Sequence, residues 1–260
     1  MTAVSLAYER PDPGAGVPLL LGGSLGTTHA MWAPQVDGFA ERVDTIAFDH
    51  RGHGRSPVPD GPYSIATLGG DVLALMDHLG LERASYCGLS LGGMVGQWLA
   101  INVPQRIDRL ILISAAAHLP PARGWRERAE AVREAGSAGA VADAVVARWF
   151  TPRFAARQPG VVAAHRSMIA ATPPEGYAAC CEAIAEYDVR PGLPSVVART
   201  LIIAGAQDPA APPELGRAIA DTVPAARLEV LDPGAHLVSV ERARDVTRLI
   251  AGHLESGGTL

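Results

Sequence analysis

The chain has 260 residues, 48% of them hydrophobic, and a net charge of −5, so it can bury a sizeable core without disulfide or metal staples. Mild acidity and the lack of a basic cluster exclude an electrostatic footprint for nucleic acid or an anionic membrane, leaving small-molecule chemistry. Three cysteines, Cys87, Cys180 and Cys181, fit no disulfide framework. The start, 1–10, lacks the basic end and apolar run of a signal peptide, and no stretch reaches membrane-spanning length, so a soluble cytoplasmic protein is expected.

In chain order, residues 4–9 read as an edge strand, 11–16 as a Pro/Gly turn and 17–21 as a buried strand. The strand exit, Gly23-Ser24-Leu25-Gly26-Thr27, is flexible enough to bring a backbone N–H against a ligand, unless it is merely a tight turn. Residues 43–48 form the next β-rich run, followed by Asp49-His50-Arg51-Gly52-His53-Gly54-Arg55-Ser56. His50 and His53 invite a metal reading. It is rejected because the pair lies in a Gly-broken loop and no other His/Cys cluster completes a ligand set; no metal and no cofactor are expected. Apolar spacing predicts a helix over 65–79 closed by Gly80, a strand over 84–89, a helix over 91–103 stopped by Pro104, and a strand over 107–114.

The pattern then changes. From His118 no strand is expected before Thr200, and 125–136, 138–150, 161–171 and 174–187 read as helices. Alternation resumes with a strand over 200–205, a helix after Pro213, a strand over 227–231 and a last helix over about 240–254, before a loose tail. An α/β fold follows, with a mostly parallel sheet and helices on both faces: a core of 1–117 and 196–260 with a helical cap, 118–195, inserted in it.

Catalytic groups in such a sheet gather where strands end. Cys87-Gly88-Leu89-Ser90-Leu91-Gly92-Gly93 reads as strand, sharp turn and helix, a G-x-S-x-G elbow that lifts the Ser90 hydroxyl clear and aims Leu91 N–H at a developing oxyanion. Leu25 N–H is the natural second donor. Asp208 follows the strand ending at Gly205, and His236 follows the strand ending near Leu231. Serine alone is a weak nucleophile near neutrality, so a histidine must take its proton and a carboxylate must orient that histidine. Asp232 competes with Asp208 for this last role, but it heads the histidine loop itself, where turn-capping aspartates are common.

These residues resemble the α/β-hydrolases and, more narrowly, the 3-oxoadipate enol-lactonases of the β-ketoadipate pathway. The narrower resemblance runs through 23–27, 49–56, Cys87-Gly88-Leu89-Ser90 with Gly92-Gly93, Gly96-Gln97-Trp98, Arg148-Trp149-Phe150-Thr151-Pro152 and 171–181. It implies the α/β-hydrolase fold and a cofactor-free serine hydrolase that opens a small lactone carrying a carboxymethyl arm, giving 3-oxoadipate in aromatic-compound catabolism. Leu91 stands where methionine is expected, though only its N–H is used. The chain stops soon after its last helix, so the decarboxylase domain fused to some relatives is not expected.

A substrate carboxylate entering a partly apolar pocket needs a cation. Arg128 and Arg133, on the helix opened by Trp125, and Arg148, beside Trp149, are the candidates, with the Trp149 indole as a pocket wall. The rival readings share the scaffold: a carboxylesterase, thioesterase or cofactor-free perhydrolase, or a ligand sensor without turnover. No nucleic-acid or membrane partner is expected, and oligomeric state is not legible.

Overall fold

Short β-branched and leucine-rich runs build the sheet. The computed structural model describes residues 2–11, 16–39 and 42–255. Seven strands, β1 (Tyr8–Glu9), β2 (Leu19–Gly22), β3 (Thr45–Phe48), β4 (Ala84–Leu89), β5 (Ile107–Ile113), β6 (Arg199–Gly205) and β7 (Ala226–Leu231), form one sheet in the order β1-β3-β2-β4-β5-β6-β7. Only β1, at the edge, runs antiparallel to its neighbour. Every residue of β2, β3 and β4 is buried. Successive strand side chains point to opposite faces, so both faces of the sheet must be covered. The expected edge strand over 4–9 shrinks to two paired residues, Tyr8 opposite Phe48 and Glu9 opposite Ala47.

The helices supply that cover. α1 (Ala33–Phe39) packs with α11 (Ala243–Glu255), and α2 (Ile65–His78) packs with α3 (Leu91–Asn102), which lies on β2, β4 and β5. Ser64 caps α2 by accepting from Thr67 N–H, and the chain leaves it through Gly80 at φ 67°, in the left-handed region. α9 (Pro213–Ala220) packs against β6 and β7.

Between β5 and β6 lie α4 (Ala122–Ala135), α5 (Gly139–Val146), α6 (Pro152–Arg157), α7 (Pro159–Ala171) and α8 (Pro174–Ala185). This insertion is pinched at its neck, where His118 bridges Asp188 in antiparallel fashion and Val189 N–H donates to Ala117 C=O at 3.0 Å. Two features were not foreseen in this half. Residues 152–157 form their own helix, opened by Thr151 as N-cap, and the expected helix over 240–254 is two helices, α10 (Val238–Glu241) and α11, because Arg242 leaves helical geometry at φ −118°, ψ 42°.

Candidate active site

β4 delivers its last residue into a turn that only small neighbours permit. A Cβ on Gly88 would sit 2.2 Å from the Gly92 carbonyl carbon, and one on Gly92 would sit 2.2 Å from Gly22 O, so strand and helix cross at backbone contact. Ser90 is held there at φ 55°, ψ −110°, a conformation that costs a non-glycine residue energy and that the surrounding bonds impose. Ser90 N–H donates to Ile113 O at 2.9 Å, and Gly92 N–H donates to Gly23 O at 3.0 Å.

β2 and β4 end in register, Gly22 opposite Gly88, so the loop leaving β2 passes beside the elbow. Leu91 opens α3, and the first N–H groups of a helix have no carbonyl four residues back. Leu25 N–H lies in the loop and bonds no acceptor among the described residues. Leu25 and Ser90 border one cavity, where two N–H groups of this kind are suited to stabilising an oxyanion.

β6 and β7 bring the other two groups together. Ala206 N–H donates to Leu231 O at 3.0 Å and Gln207 N–H to Gly234 O at 2.8 Å, lacing the loop after β6 to the loop after β7. As a result His236 Nδ1 lies 2.8 Å from Asp208 Oδ2, with both side chains buried. Asp208 Oδ1 accepts from Ala210 N–H at 2.8 Å and Ala211 N–H at 3.0 Å. Burial pushes the Asp208 pKa upward, but His236 and the two amide donors together outweigh it and leave the carboxyl below its ordinary value. Asp232, the competitor, is exposed and makes no such bond among the described residues. His236 and Ser90 border the same cavity.

The loop that carries His236 is also fixed from the insertion. Leu237 N–H donates to Trp149 O at 2.9 Å. Glu241 accepts from Ala235 N–H and Thr151 N–H, each at 3.2 Å, and from the Thr151 hydroxyl. The residues on either side of His236 are therefore both tied to 149–151. Nothing in the spacing of the sequence points to Glu241, which falls inside the apolar pattern expected for the terminal helix.

The insertion closes the cavity with Leu119, Trp125, Arg128, Arg148, Trp149 and Tyr177. Arg128 lies over the Trp125 ring at 4.5 Å from its centroid. Arg128 and Arg148 are half-buried, and neither forms a salt bridge among the described residues. Burial, followed by the Arg128 charge, pulls the Arg148 pKa down from its ordinary value. Tyr177 is fully buried, with its hydroxyl toward the Arg128 guanidinium; burial raises its pKa, against the opposing effect of Arg128 and Arg148. Arg133 does not join this group. Its guanidinium is held outside the cavity by Glu175 and Glu182, so its charge is already met. Tyr177 is legible only as part of a shared motif, because nothing local says that its hydroxyl meets Arg128 at this cavity.

Residues 17–243 match the family described as the alpha/beta hydrolase fold. The chain belongs to the α/β-hydrolases. Within that family it is 43% identical to 3-oxoadipate enol-lactonase 2 of Acinetobacter baylyi over 92% of this chain and 89% of the relative. It is 34% identical to 3-oxoadipate enol-lactonase 1 of the same organism, over 97% and 94%. The crystal structure of the enol-lactonase from Burkholderia xenovorans superposes with a TM-score of 0.92 at 41% identity, covering 96% of each chain. No described helix of this α/β-hydrolase is long and apolar enough to cross a membrane.

Proposed function

We propose that the protein is a cytoplasmic serine hydrolase that opens the ring of 3-oxoadipate enol-lactone to 3-oxoadipate. In this reading residues 118–195 act as a cap over a core formed by 1–117 and 196–260. The observation that carries the substrate class is the pairing of Arg128 and Arg148, two cations that form no salt bridge among the described residues, beside the buried Tyr177 hydroxyl in the cavity that Ser90 and His236 share. Two like charges left together in a half-buried place favour an anionic ligand, and a carboxylate can accept from both guanidinium groups and the phenol. The enol-lactonase relatives support the same reading.

The chemistry follows from the side chains. His236, oriented by Asp208, takes the Ser90 proton as Ser90 Oγ attacks the lactone carbonyl, and the N–H groups of Leu25 and Leu91 receive the negative charge. Collapse of the tetrahedral intermediate breaks the ring C–O bond. The leaving enolate takes the proton from His236 and becomes a ketone, a poor nucleophile that does not re-close on the acyl-enzyme. A water activated by His236 then releases the second carboxylate and restores Ser90.

The test is turnover of the enol-lactone beside the same ring lacking its acetate arm and a simple aryl acetate. The enol-lactone should be turned over far faster than its uncharged analogue. Equal rates on the two lactones would remove the reason for an arginine clamp and favour a general esterase.

A further inference from the structure

The two histidines of the 49–56 loop have a use outside the acid–base chemistry. His50 and His53 are buried, and both reach the loop that carries Leu25. His50 Nε2 lies 3.2 Å from Gly23 O, and His53 Nε2 lies 2.9 Å from Gly26 N. The two ring contacts have opposite polarity. A carbonyl only accepts, so His50 Nε2 must carry a proton; an amide only donates, so His53 Nε2 must be bare. The proton of a neutral His53 then lies on Nδ1, which faces Arg51 O at 3.1 Å, a carbonyl suited to receive it.

Gly23 O and Gly26 N belong to the peptide groups immediately before and after the Ser24–Leu25 peptide, whose N–H is the Leu25 donor. The same Gly23 O accepts Gly92 N–H from α3, so His50 and the nucleophile's helix share one acceptor. Glycine at 23 and 26 leaves this segment free to turn, and Gly26 lies at φ 81°. Thr27 closes the turn on itself, its N–H and hydroxyl donating to Ser24 O at 3.1 and 2.8 Å, and the two histidines tie that turn to the neighbouring loop, which fixes where the Leu25 N–H meets a developing charge.

We propose that His53, assisted by His50, is a positioning residue that fixes the Leu25 N–H by accepting from Gly26 N–H as the neutral Nδ1–H tautomer. The inference rests on the hydrolase reading above, because only a developing oxyanion gives that N–H a role. Burial lowers the pKa of both imidazoles, His50 to about 3, which keeps them neutral. A protonated His53 would set an N–H against an N–H. The metal reading of the pair has no room here: both nitrogens of His53 and one of His50 are taken by backbone groups.

Nitrogen-15 spectra of histidine-labelled wild-type protein test the tautomer without any variant: His53 should show a protonated Nδ1 and a bare Nε2, and a protonated Nε2 would overturn the proposal. The functional arm compares H53Q with H53N. Glutamine places an acceptor where Nε2 was, whereas asparagine is too short to reach Gly26. With aryl acetate, H53Q should stay within about threefold of wild type, and H53N should lose roughly 10- to 100-fold in kcat at nearly unchanged KM. Affinity for phenylboronic acid, whose Ser90 adduct presents an oxygen to the same N–H groups, should fall in step. Equal activity of the two variants, or a loss carried by KM alone, would overturn it. A wild type inert toward ester and lactone alike would sink the hydrolase reading instead, while variants as active as an active wild type would sink only the brace.

Discussion

The strand ends and the helical insertion meet at one cavity but are specified by different means. At the strand ends the backbone does the placing: Gly88 and Gly92 allow chains to cross at contact, register sets β2 beside β4, and two main-chain bonds bring Asp208 to His236. In the insertion, side-chain partners decide. Arg128 and Arg133 lie on the same helix, five residues and so roughly 140° apart around its axis. One lines the cavity and forms no salt bridge among the described residues, and the other is held by two glutamates outside it. In the proposed function, the reacting groups are thus set by local chain geometry, whereas the selecting groups are set by which carboxylates happen to stand opposite.

The largest effect should come from the strand-end side. Ser90→Ala should lower kcat by about 10⁴- to 10⁶-fold with folding intact, and His236→Ala similarly. Asp208→Asn should cost about as much or less, while Asp232→Asn, at an exposed position, should leave kcat near wild type. Steady-state rates on the enol-lactone check all four. Inactivation by Asp232→Asn with an active Asp208→Asn would reverse the assignment of the acid.

On the insertion side the losses should be smaller and selective. Arg148→Met or Arg128→Met should erase most of the preference for the carboxylate-bearing lactone, about 2 to 4 kcal/mol in kcat/KM, and barely change turnover of aryl acetate. Arg133→Met should leave both substrates alone, since its contacts are the glutamates of α8. If Arg133→Met cost as much preference as Arg148→Met, the contrast between the two faces of α4 would collapse.

A last effect concerns stability rather than turnover. His50 and His53 stay neutral in the folded protein, their pKa values lowered first of all by burial, His50 to about 3. Between the ordinary histidine value and these lowered ones, the unfolded chain binds protons that the folded chain does not. Stability is therefore fully present above about pH 6.5 and declines as pH falls, by ~1.4 kcal/mol per pH unit for each such histidine. Urea unfolding at pH 7, 6 and 5 should show this slope, and His50→Gln should flatten it by one histidine's share. An unchanged slope in that variant would mean that His50 takes up its proton as readily folded as unfolded.

The same contrast explains what could be read in advance. The G-x-S-x-G elbow and the aspartate and histidine after later strands are written in contiguous residues, and alternation of strand and helix places them along one sheet edge. That was enough to bring Ser90, Asp208 and His236 together on paper. The arginines could not be sorted, because the distinction between Arg128 and Arg133 lies in Glu175 and Glu182, more than forty residues away along the chain. α1 escaped notice because seven residues holding Pro34 and Gly38 show no helical period. The break at Arg242 was hidden for the opposite reason: Val240, Val246 and Ile250 carry an apolar pattern across it.

The bonds from Glu241 to Thr151 and Ala235, with Trp149 O to Leu237 N, bear on how such a protein can be rebuilt. Insertions of this kind invite transplantation, one scaffold exchanging lids to acquire new substrates. Here the seam does not coincide with the neck at His118 and Asp188, since a second attachment runs through the flanks of His236. A chimera joined cleanly at the neck but lacking a hydroxyl donor at 151 would inherit the insertion and misplace His236. Residues 149–151 should travel with the recipient sheet rather than with the donor lid, and Glu241 marks the position any exchange must respect.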